Sequence, residues 1–465
     1  MSKTLVPIAA PMFVELAVGI AVGIIGVALA ARLADASAAA FAMANHIAAM
    51  LFILFRIVGA GVGVVITQSI GAGRAPVADA TTRAALGAAT WIGAFAATAA
   101  AAGAAQWFAL MNAPADVHRI GTVFLAWLAP SLLLDAWNAT LSGVLRARLH
   151  NRPVLRVVIG GNLLQLMLAV PLMFGVGGLE GLGLTGFAIA QLLARAATLG
   201  AFLLLARSLL DFRPQAKDWL AWSSATLSPV LRIGLPGAAE NIGYRLAFMV
   251  SLSAVGTLGA AALATQAYVQ QVSLVVLMFG LAIGLSMEIA VGHVAGARKL
   301  HQADQLLRRA LLFALALSIA AATLSALLGP WTLRLFSADE TVIASGVTLL
   351  WLTVILEPGR TFNLVVINAL RATGDARFPV VAGIGSMIVI LAGGSWLLGV
   401  SLGMGLAGVW VAYIADEWCR GLLMWWRWQS RAWVPHLRAT QRGLREAEKR
   451  ERALQSAGSM PPGIA

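Results

Sequence analysis

The chain has 465 residues, of which 60% are apolar and only 11% are charged. Soluble domains carry roughly a quarter of charged residues, so this composition excludes a soluble globular protein and indicates an integral membrane protein. The formal net charge of +13 lies mainly in loops between apolar segments, where the bilayer surface is the expected partner. No nucleic-acid partner is therefore predicted.

Apolar runs of about 20 residues or more, the length that a helix needs to cross a hydrocarbon core, recur along the whole chain. They are too long for barrel strands and do not alternate, so the fold is predicted to be all-α. Glycine, proline and charge clusters mark the loops. The predicted helices cover residues 5–34, 40–71, 84–109, 118–145, 153–174, 181–208, 229–258, 264–295, 307–334, 343–370, 378–401 and 404–428.

The second half of the sequence repeats the first with an offset of 225 residues. The following residues are identical in the two copies: Pro11 and Pro236, Glu15 and Glu240, Gly71 and Gly296, Asp79 and Asp304, Arg83 and Arg308, Asn138 and Asn363, Arg146 and Arg371. Such a repeat predicts two similarly folded halves. Because six crossings return the chain to its starting side, the two six-helix lobes are expected to be related by a pseudo-two-fold axis along the membrane normal.

The repeat divides the chain into an N-terminal lobe over residues 1–210, a polar linker over 211–228, a C-terminal lobe over 229–428 and a basic tail over 429–465. The tail is predicted to form a basic helix that is either solvated or lies on anionic headgroups. Loops on the side opposite to the linker and the tail contain only Arg32, Arg119 and Arg334 as basic residues. The positive-inside rule therefore places both termini in the cytoplasm.

Two loops each carry an acidic and a basic residue four positions apart. These are Asp79 with Arg83 and, in the second copy, Asp304 with Arg308. At this spacing the two side chains lie on one face of a helix. The two pairs are predicted to act as matched cytoplasmic latches or helix starts in the two copies.

Several motifs, in their order and spacing, carry a resemblance to a known family. They are the P-x3-E openings at Pro11 and Pro236, the GAGR turn at 71–74, the GAR turn at 296–298, and the segments EPGRTFNLVVINALRATGD at 357–375 and LRATGDARFP at 370–379. Together they resemble the MATE family of multidrug and toxic compound extrusion transporters, in its bacterial branch. The resemblance implies a V-shaped pair of lobes in the bacterial cytoplasmic membrane, around a cavity alternately open to each side. It also implies export of organic compounds against an inward flow of protons or sodium.

The chain departs from the family pattern at four positions. Gly26, Leu166 and Arg360 stand where sets of members carry aspartates, and Tyr244 stands where the family has a glutamate. A sodium site needs several oxygen ligands and no adjacent fixed cation, whereas a proton needs one carboxylate whose pKa can change. The missing carboxylates therefore favour protons over sodium as the coupling ion.

Charges within the predicted helices are expected to face a cavity or one another. The candidates for cation coupling are Glu240, Glu357, Arg360, Glu288 and Glu15. We hypothesise that Glu240 takes the proton while Arg360 alternates between Glu357, which shares its helix face, and Glu240 or the substrate. The alternatives are a static pair of Glu357 with Arg360, and a structural role for the repeated Glu15 and Glu240, each one turn after a proline.

Other polar residues within the helices are candidates for lining the substrate cavity: Arg56, Asn138, Asp135, Asn162, Tyr244, Arg245 and Asn363. Asp416, Glu417 and Arg420 lie near the cytoplasmic end of the last predicted helix, where snorkelling is sufficient to explain them. His46 and His293 have no carboxylate or cysteine at metal-ligand spacing. No metal and no cofactor are predicted.

Two classes of function remain, a secondary exporter and a membrane-embedded enzyme that acts on lipid. An enzyme needs a clustered nucleophile, base or metal, whereas the charges of this chain are spread over many helices. The sequence therefore predicts no enzyme, but a monomeric antiporter of organic compounds such as drugs or metabolites, driven by a cation gradient. A lipid-linked precursor flippase of the same superfamily is the alternative.

Overall fold

The computed structural model describes residues 2–178 and 180–458, without the side chains of residues 2–5, 53, 56, 60, 451 and 454–458. All regular structure in this part of the chain is helical. The helices are α1 (Ser2–Ala31), α2 (Asp35–Gly71), α3 (Ala75–Ala102), α4 (Ala104–Leu110), α5 (Ala115–Ala147), α6 (Asn151–Phe174), α7 (Leu184–Leu210), α8 (Ser224–Thr257), α9 (Ala260–Gly296), α10 (Leu300–Leu327), α11 (Gly329–Arg334), α12 (Glu340–Ala372), α13 (Arg377–Ser386), α14 (Gly405–Gln429) and α15 (Val434–Gly458). Helix α13 continues as a π-helix over Met387–Gly393 and Ser395–Ser401.

Among the described residues, ten helices are long and apolar enough to cross a membrane, one of them being the continuous segment Arg377–Ser401. Two further helices, α8 and α14, have comparable lengths of 34 and 25 residues but are more polar. Large apolar side chains are widely exposed, as at Met167 and Leu312, each 72% exposed. Such surfaces suit contact with lipid rather than water. The predicted all-α membrane fold with two sets of six long helices is confirmed.

The internal repeat determines where the helices begin and end. The bounds of α2, α3 and α5, shifted by 225 residues, are the bounds of α9, α10 and α12. The short helices α4 and α11, which the sequence did not predict, also start at equivalent positions. Similar residues at equivalent positions therefore form the same local structure in both halves.

Two compact units make up the fold. The C-terminal unit contains the described residues within Met1–Phe13, Gly71–Gly73 and Leu235–Arg445; the N-terminal unit contains those within Val14–Ile70, Arg74–Gly234 and Glu446–Ala465. In the core of the N-terminal unit, the ring of Phe41 packs 5.6 Å from Phe124 and 4.9 Å from Phe187, between centroids. In the C-terminal unit, Trp428 and Trp433 stack at 4.6 Å.

The predicted pairs in the two equivalent loops form in only one copy. Arg308 Nε donates to Asp304 Oδ2 at 3.1 Å, as expected. In the first copy the prediction is wrong: Arg83 donates to Asp218 at 2.7 Å, and Asp79 accepts from Arg148. The linker explains the difference, because its 3-10 turn over Ala216–Trp219 carries a buried carboxylate to Arg83.

Candidate functional site

Five charged side chains meet inside the C-terminal unit. Glu357 and Arg360 lie on one face of α12, three residues apart, while Asp416, Glu417 and Arg420 lie on one face of α14. All three carboxylates are buried: the side chains of Glu357 and Asp416 are 0% exposed and that of Glu417 is 6% exposed. We call these five side chains the charge network.

Glu417 joins the two halves of the charge network. Its Oε1 accepts from Arg360 Nε at 3.2 Å and lies 2.9 Å from Arg420 Nη2. Arg360 Nη1 also donates to Glu357 Oε1 at 2.6 Å. Arg420 Nη2 donates to Asp416 Oδ2 at 2.7 Å. The predicted pair of Glu357 with Arg360 is therefore present, but as one part of a larger set.

Neutral side chains complete most of the hydrogen bonding around these carboxylates. Asn363 Nδ2 donates to Glu417 Oε2 at 3.1 Å, and Ser386 Oγ donates to Asp416 Oδ1 at 2.6 Å. Among the described atoms, Glu357 Oε2 is buried without a hydrogen-bond partner. An ionised carboxylate oxygen without a partner costs more free energy in this position than the neutral oxygen of a protonated carboxyl group. Glu357 is thus the position in the network that suits a proton.

The charge network contains three carboxylates and two guanidinium groups. With all of them ionised it carries one uncompensated negative charge inside a membrane-spanning bundle, which is strongly unfavourable. One bound proton balances it. The predicted snorkelling of Asp416, Glu417 and Arg420 is wrong, because these side chains face the interior of the unit and are at most 6% exposed.

Glu240 lies outside the charge network. Arg371 Nη2 donates to Glu240 Oε2 at 2.5 Å. The equivalent pair occurs in the N-terminal unit, where Arg146 Nη2 donates to Glu15 Oε1, also at 2.5 Å. These contacts favour the structural interpretation of both glutamates, and the second partner of Arg360 is Glu417 rather than Glu240.

In the N-terminal unit, Asp135 and Arg195 occupy the positions equivalent to Arg360 and Arg420, and they form an ion pair with each other. Arg195 Nε lies 2.9 Å from Asp135 Oδ1. The backbone oxygen of Arg195 accepts from Asn138 Nδ2 at 3.0 Å. Two of the predicted cavity residues, Asp135 and Asn138, therefore contact Arg195 directly.

Arg195 also forms part of the wall of a cavity of about 440 Å³ inside the N-terminal unit. The other polar residues of the wall are Asn45, His46, Gln165 and Gln191, and its apolar residues include Val22, Phe41 and Phe187. Gln191 accepts from Gln165 at 3.4 Å and donates to Ser131 Oγ at 3.2 Å. Among the described residues of this wall, Arg195 carries the only permanent charge, and no carboxylate is present.

Of the remaining predicted residues, Tyr244 lies near Arg360 and Glu417 of the charge network, and the others are dispersed. Asn162 is buried on α6, and Tyr244 is half-buried, with its ring 6.1 Å from that of Phe248. Arg245 is exposed and Glu288 is half-buried on α9. The side chain of Arg56 lies outside the described residues.

Sequence reasoning missed Gln165, Gln191 and Asn45 as cavity residues. Uncharged amide side chains are common in membrane helices, so the local sequence around these three residues does not identify them as cavity residues. A signal was available at Gln191, which occupies the position equivalent to Asp416. Comparing polar residues between the two copies would have indicated that Gln191 and Asp416 each face the interior of their own unit.

In the described part of the chain, the ten apolar membrane-length helices and the polar groups buried inside each unit define a multi-pass α-helical membrane protein. The MatE family model matches residues 11–170 and 236–397, once in each half of the chain. The chain belongs to the MATE family. The two matches begin at the repeated prolines, Pro11 and Pro236, which confirms the repeat and the resemblance drawn from it. Family membership favours export over the flippase alternative.

Two curated relatives cover most of the chain. The uncharacterized transporter YisQ of Bacillus subtilis is 30% identical over 424 residues, which are 91% of this chain and 93% of that protein. The probable multidrug resistance protein NorM of Bradyrhizobium diazoefficiens is 28% identical and covers 87% of this chain and 88% of its own. Both are bacterial.

Solved structures share the fold at low sequence identity. The MATE transporter VcmN of Vibrio cholerae, in its bent form, has a TM-score of 0.84 at 18% identity, covering 95% of this chain and 98% of its own. A MOP superfamily transporter from Pyrococcus furiosus also has a TM-score of 0.84 at 18% identity, with 95% and 96% coverage. These similarities concern the fold alone.

Proposed function

We propose that the protein is a secondary active exporter of small organic compounds, coupled to inward proton flow by alternating access. It acts in the cytoplasmic membrane of a bacterium, with both termini in the cytoplasm. The observation that carries the choice of proton is the excess of one carboxylate in the buried charge network. The names of relatives such as NorM support export of drug-like compounds.

Glu357 takes the proton in this proposal. When it is ionised, its Oε1 holds Arg360, which also holds Glu417. Protonation removes the charge of Glu357 and weakens its bond to Arg360, which keeps Glu417 as its partner. Protonation therefore weakens the contact of Arg360 within α12 and leaves its contact with Glu417 of α14. We propose that this change in the contacts of Arg360 switches the side of the membrane to which the substrate site is open.

Sodium is a poor occupant of the same network. Arg360 and Arg420 place two fixed positive charges among the three carboxylates, and the two guanidinium groups already bind one oxygen of each carboxylate. A sodium ion would have to displace these charge-assisted bonds and collect several oxygen ligands. A proton needs only Glu357 Oε2.

The cavity of the N-terminal unit is the proposed substrate site. Its wall offers aromatic faces at Phe41 and Phe187, amides at Gln165 and Gln191, and the guanidinium of Arg195. Amphipathic compounds fit such a mixture of apolar and polar groups. Because the wall contains a cation and no carboxylate, we expect neutral or anionic compounds to bind better than permanent cations.

The coupling is tested in proteoliposomes with an imposed pH gradient or an imposed sodium gradient. The pH gradient should drive uptake into inverted vesicles by the wild-type protein, and Glu357→Gln should lose that acceleration but keep substrate exchange. Glu340→Gln, the same change at an exposed position of the same helix, is the control. Transport driven by sodium alone, or a Glu357→Gln protein that is still fully coupled, would reject the proposal.

The preference for substrate charge is tested by adding a carboxylate to the cavity. Gln191→Glu should weaken binding of anionic compounds and strengthen binding of cationic ones of similar size, in a panel of matched fluorescent substrates. Gln305→Glu, at an exposed position of α10, is the control for total charge. If both variants shift the panel equally, the cavity does not select the substrate.

A further inference from the structure

A second cavity, of about 450 Å³, lies in the C-terminal unit between the turn joining α9 to α10 and the helix α15. Four arginines line it: Arg298 from the turn, and Arg438, Arg442 and Arg445 from α15. Leu300 and Leu437 provide an apolar part of the wall. The cavity thus combines a concentrated positive charge with an apolar surface.

The three arginines of α15 share one helix face, since they are spaced by four and then three residues. The neighbouring face of α15 is packed against the protein. Leu437 and Gln441 are buried, and Gln441 Nε2 donates to the backbone oxygen of Ala295 at the end of α9 at 3.0 Å. The packed face holds the helix in place, so the three arginines remain at the cavity.

None of the four arginines makes an ion pair with another described side chain, and the wall of the cavity contains no carboxylate. Of the described acidic residues of α15, Glu448 binds Arg74 at 2.9 Å and Arg452 at 2.7 Å, and Glu446 is exposed and is not part of the cavity wall. Four neighbouring guanidinium groups repel one another unless an anion binds between them. Among the described residues, the wall of the cavity therefore supplies no counter-charge to these arginines.

Arg298 occupies a backbone conformation that normally selects glycine. Its φ is +61°, whereas the equivalent residue of the first copy is Gly73, with φ +72°. Both follow a helix whose end is closed by the same 6→1 hydrogen bond, Arg74 N–H to Ser69 O and Lys299 N–H to Val294 O. A side chain with a Cβ is disfavoured there. In the second copy, Arg298 adopts this disfavoured conformation, and its guanidinium lines the cavity.

We infer that this cavity binds the phosphate headgroup of an anionic membrane lipid. Guanidinium groups bind phosphate oxygens with paired, charge-assisted hydrogen bonds, and several surround this space. Leu300 and Val434, two half-buried residues of the wall, suit the glycerol and the first carbons of the acyl chains. The cavity lies just after α14, whose last turns carry Trp425 and Trp426, residues typical of the membrane interface. With the proposed orientation, the lipid belongs to the cytoplasmic leaflet.

The full-length protein in detergent provides the first test. Its thermal unfolding midpoint is followed by tryptophan fluorescence during titration with short-chain phosphatidylglycerol, short-chain phosphatidylcholine or inorganic phosphate. Phosphatidylglycerol should raise the midpoint in a saturable way, and the other two should not at equal concentration. Equal stabilisation by phosphatidylcholine would exclude anion recognition, and saturation by inorganic phosphate at the same concentration would make the ligand a soluble anion.

Matched variants locate the site. Arg438→Gln with Arg442→Gln should raise the half-saturating phosphatidylglycerol concentration at least about tenfold. Lys449→Gln with Arg450→Gln removes the same charge from exposed positions of the same helix outside the cavity and should change it less than about twofold. Equal effects of the two double variants would reduce the lipid effect to general attraction, against the proposal.

Arg298→Gly separates binding from folding. Glycine relieves the left-handed conformation, so the unliganded protein should unfold at a higher temperature than the wild type. The same variant loses one guanidinium and should need several-fold more phosphatidylglycerol for half-saturation. A more stable protein with undiminished lipid binding would remove Arg298 from the site and contradict the assignment.

Discussion

Glu15 and Glu240, at equivalent positions of the two copies, bind Arg146 and Arg371, which are also equivalent. In each case 131 residues separate the partners in sequence, and the contact joins the first long helix of a half to its fourth. The side chains of both pairs are between 11% and 25% exposed. A contact that both copies repeat, irrespective of their other differences, indicates a structural role.

Breaking this repeated contact should lower stability without abolishing coupling. Arg371→Ala leaves Glu240 unpaired and should cost about 1–3 kcal/mol, between the values for exposed and buried pairs. Glu240→Ala combined with Arg371→Ala should cost less than the sum of the single changes, as measured by unfolding in detergent. Glu240→Gln should remain coupled to protons in vesicles. Loss of proton coupling in a folded Glu240→Gln protein would mean that Glu240, and not Glu357, is the proton-binding residue.

Gly26 occupies a position where the resemblance leads one to expect an aspartate. A Cβ there would lie 2.6 Å from Cζ of Phe41, a ring that is itself packed and 2% exposed. The aromatic core of the N-terminal unit thus fills the space that a carboxylate would need. This accounts for the absence of a family carboxylate at this position in physical terms.

Gly26→Ala should destabilise the protein by about 1–3 kcal/mol through overpacking against Phe41. Gly23→Ala is the matched control, three residues earlier on α1, because no atom lies within 4 Å of a Cβ built there. It should be neutral or slightly stabilising, since alanine favours the helix. The comparison is made from unfolding midpoints in detergent. Equal midpoints for the two variants would mean that the aromatic core yields to the added methyl group.

At the scale of elements, α12 begins with a side-chain cap. Asp339 Oδ1 accepts from the hydroxyl of Thr341 at 2.6 Å and from its backbone N–H at 2.8 Å. These bonds from Thr341 hold the pKa of Asp339 below its ordinary value. Both bonds favour the ionised carboxylate, so the cap stabilises the start of the helix that carries Glu357.

Asp339→Ala should lower the unfolding midpoint at neutral pH. A lowered pKa in the folded state gives stability that is complete above the unfolded pKa, about 3.9, and is lost as the pH falls through the lower folded value. The difference between wild type and variant should therefore shrink below about pH 4. Asp116→Ala, in the first turn of α5, is the control, because no cap hydrogen bond is described there. If the difference in unfolding midpoint between wild type and Asp339→Ala were independent of pH, the stability from the cap would not depend on the charge of Asp339.

At the scale of the whole molecule, the orientation proposed from loop charges can be read with single cysteines. In a Cys419→Ala background, cysteines at Ala115 and Ala338 should react with an impermeant maleimide added outside the cell. Cysteines at Ala75 and Lys217 should react only after permeabilisation. All four positions are exposed and lie at helix ends or in loops. The opposite pattern in either half would contradict the parallel arrangement of the two six-helix sets.

The long helices, the repeat and the contact of Glu357 with Arg360 could be predicted from the amino-acid sequence. Each of these depends on hydropathy over about 20 residues, on identical residues at equivalent positions, or on a spacing of three within one helix. Helix geometry settles such features locally. For the same reason the predicted pair of Asp304 with Arg308, four residues apart, is present in the structure.

Contacts between side chains that are far apart in sequence could be identified from the tertiary structure alone. Arg83 binds Asp218, 135 residues away, instead of its near neighbour Asp79. The orientation of α14 about its axis places Glu417 against Arg360. Asp416, Glu417 and Arg420, which the sequence alone explained as surface residues, therefore belong to the buried charge network. The rotation and depth of a helix follow from the sum of its packing contacts, and in the apolar surroundings of a bilayer the pattern of one segment does not specify them.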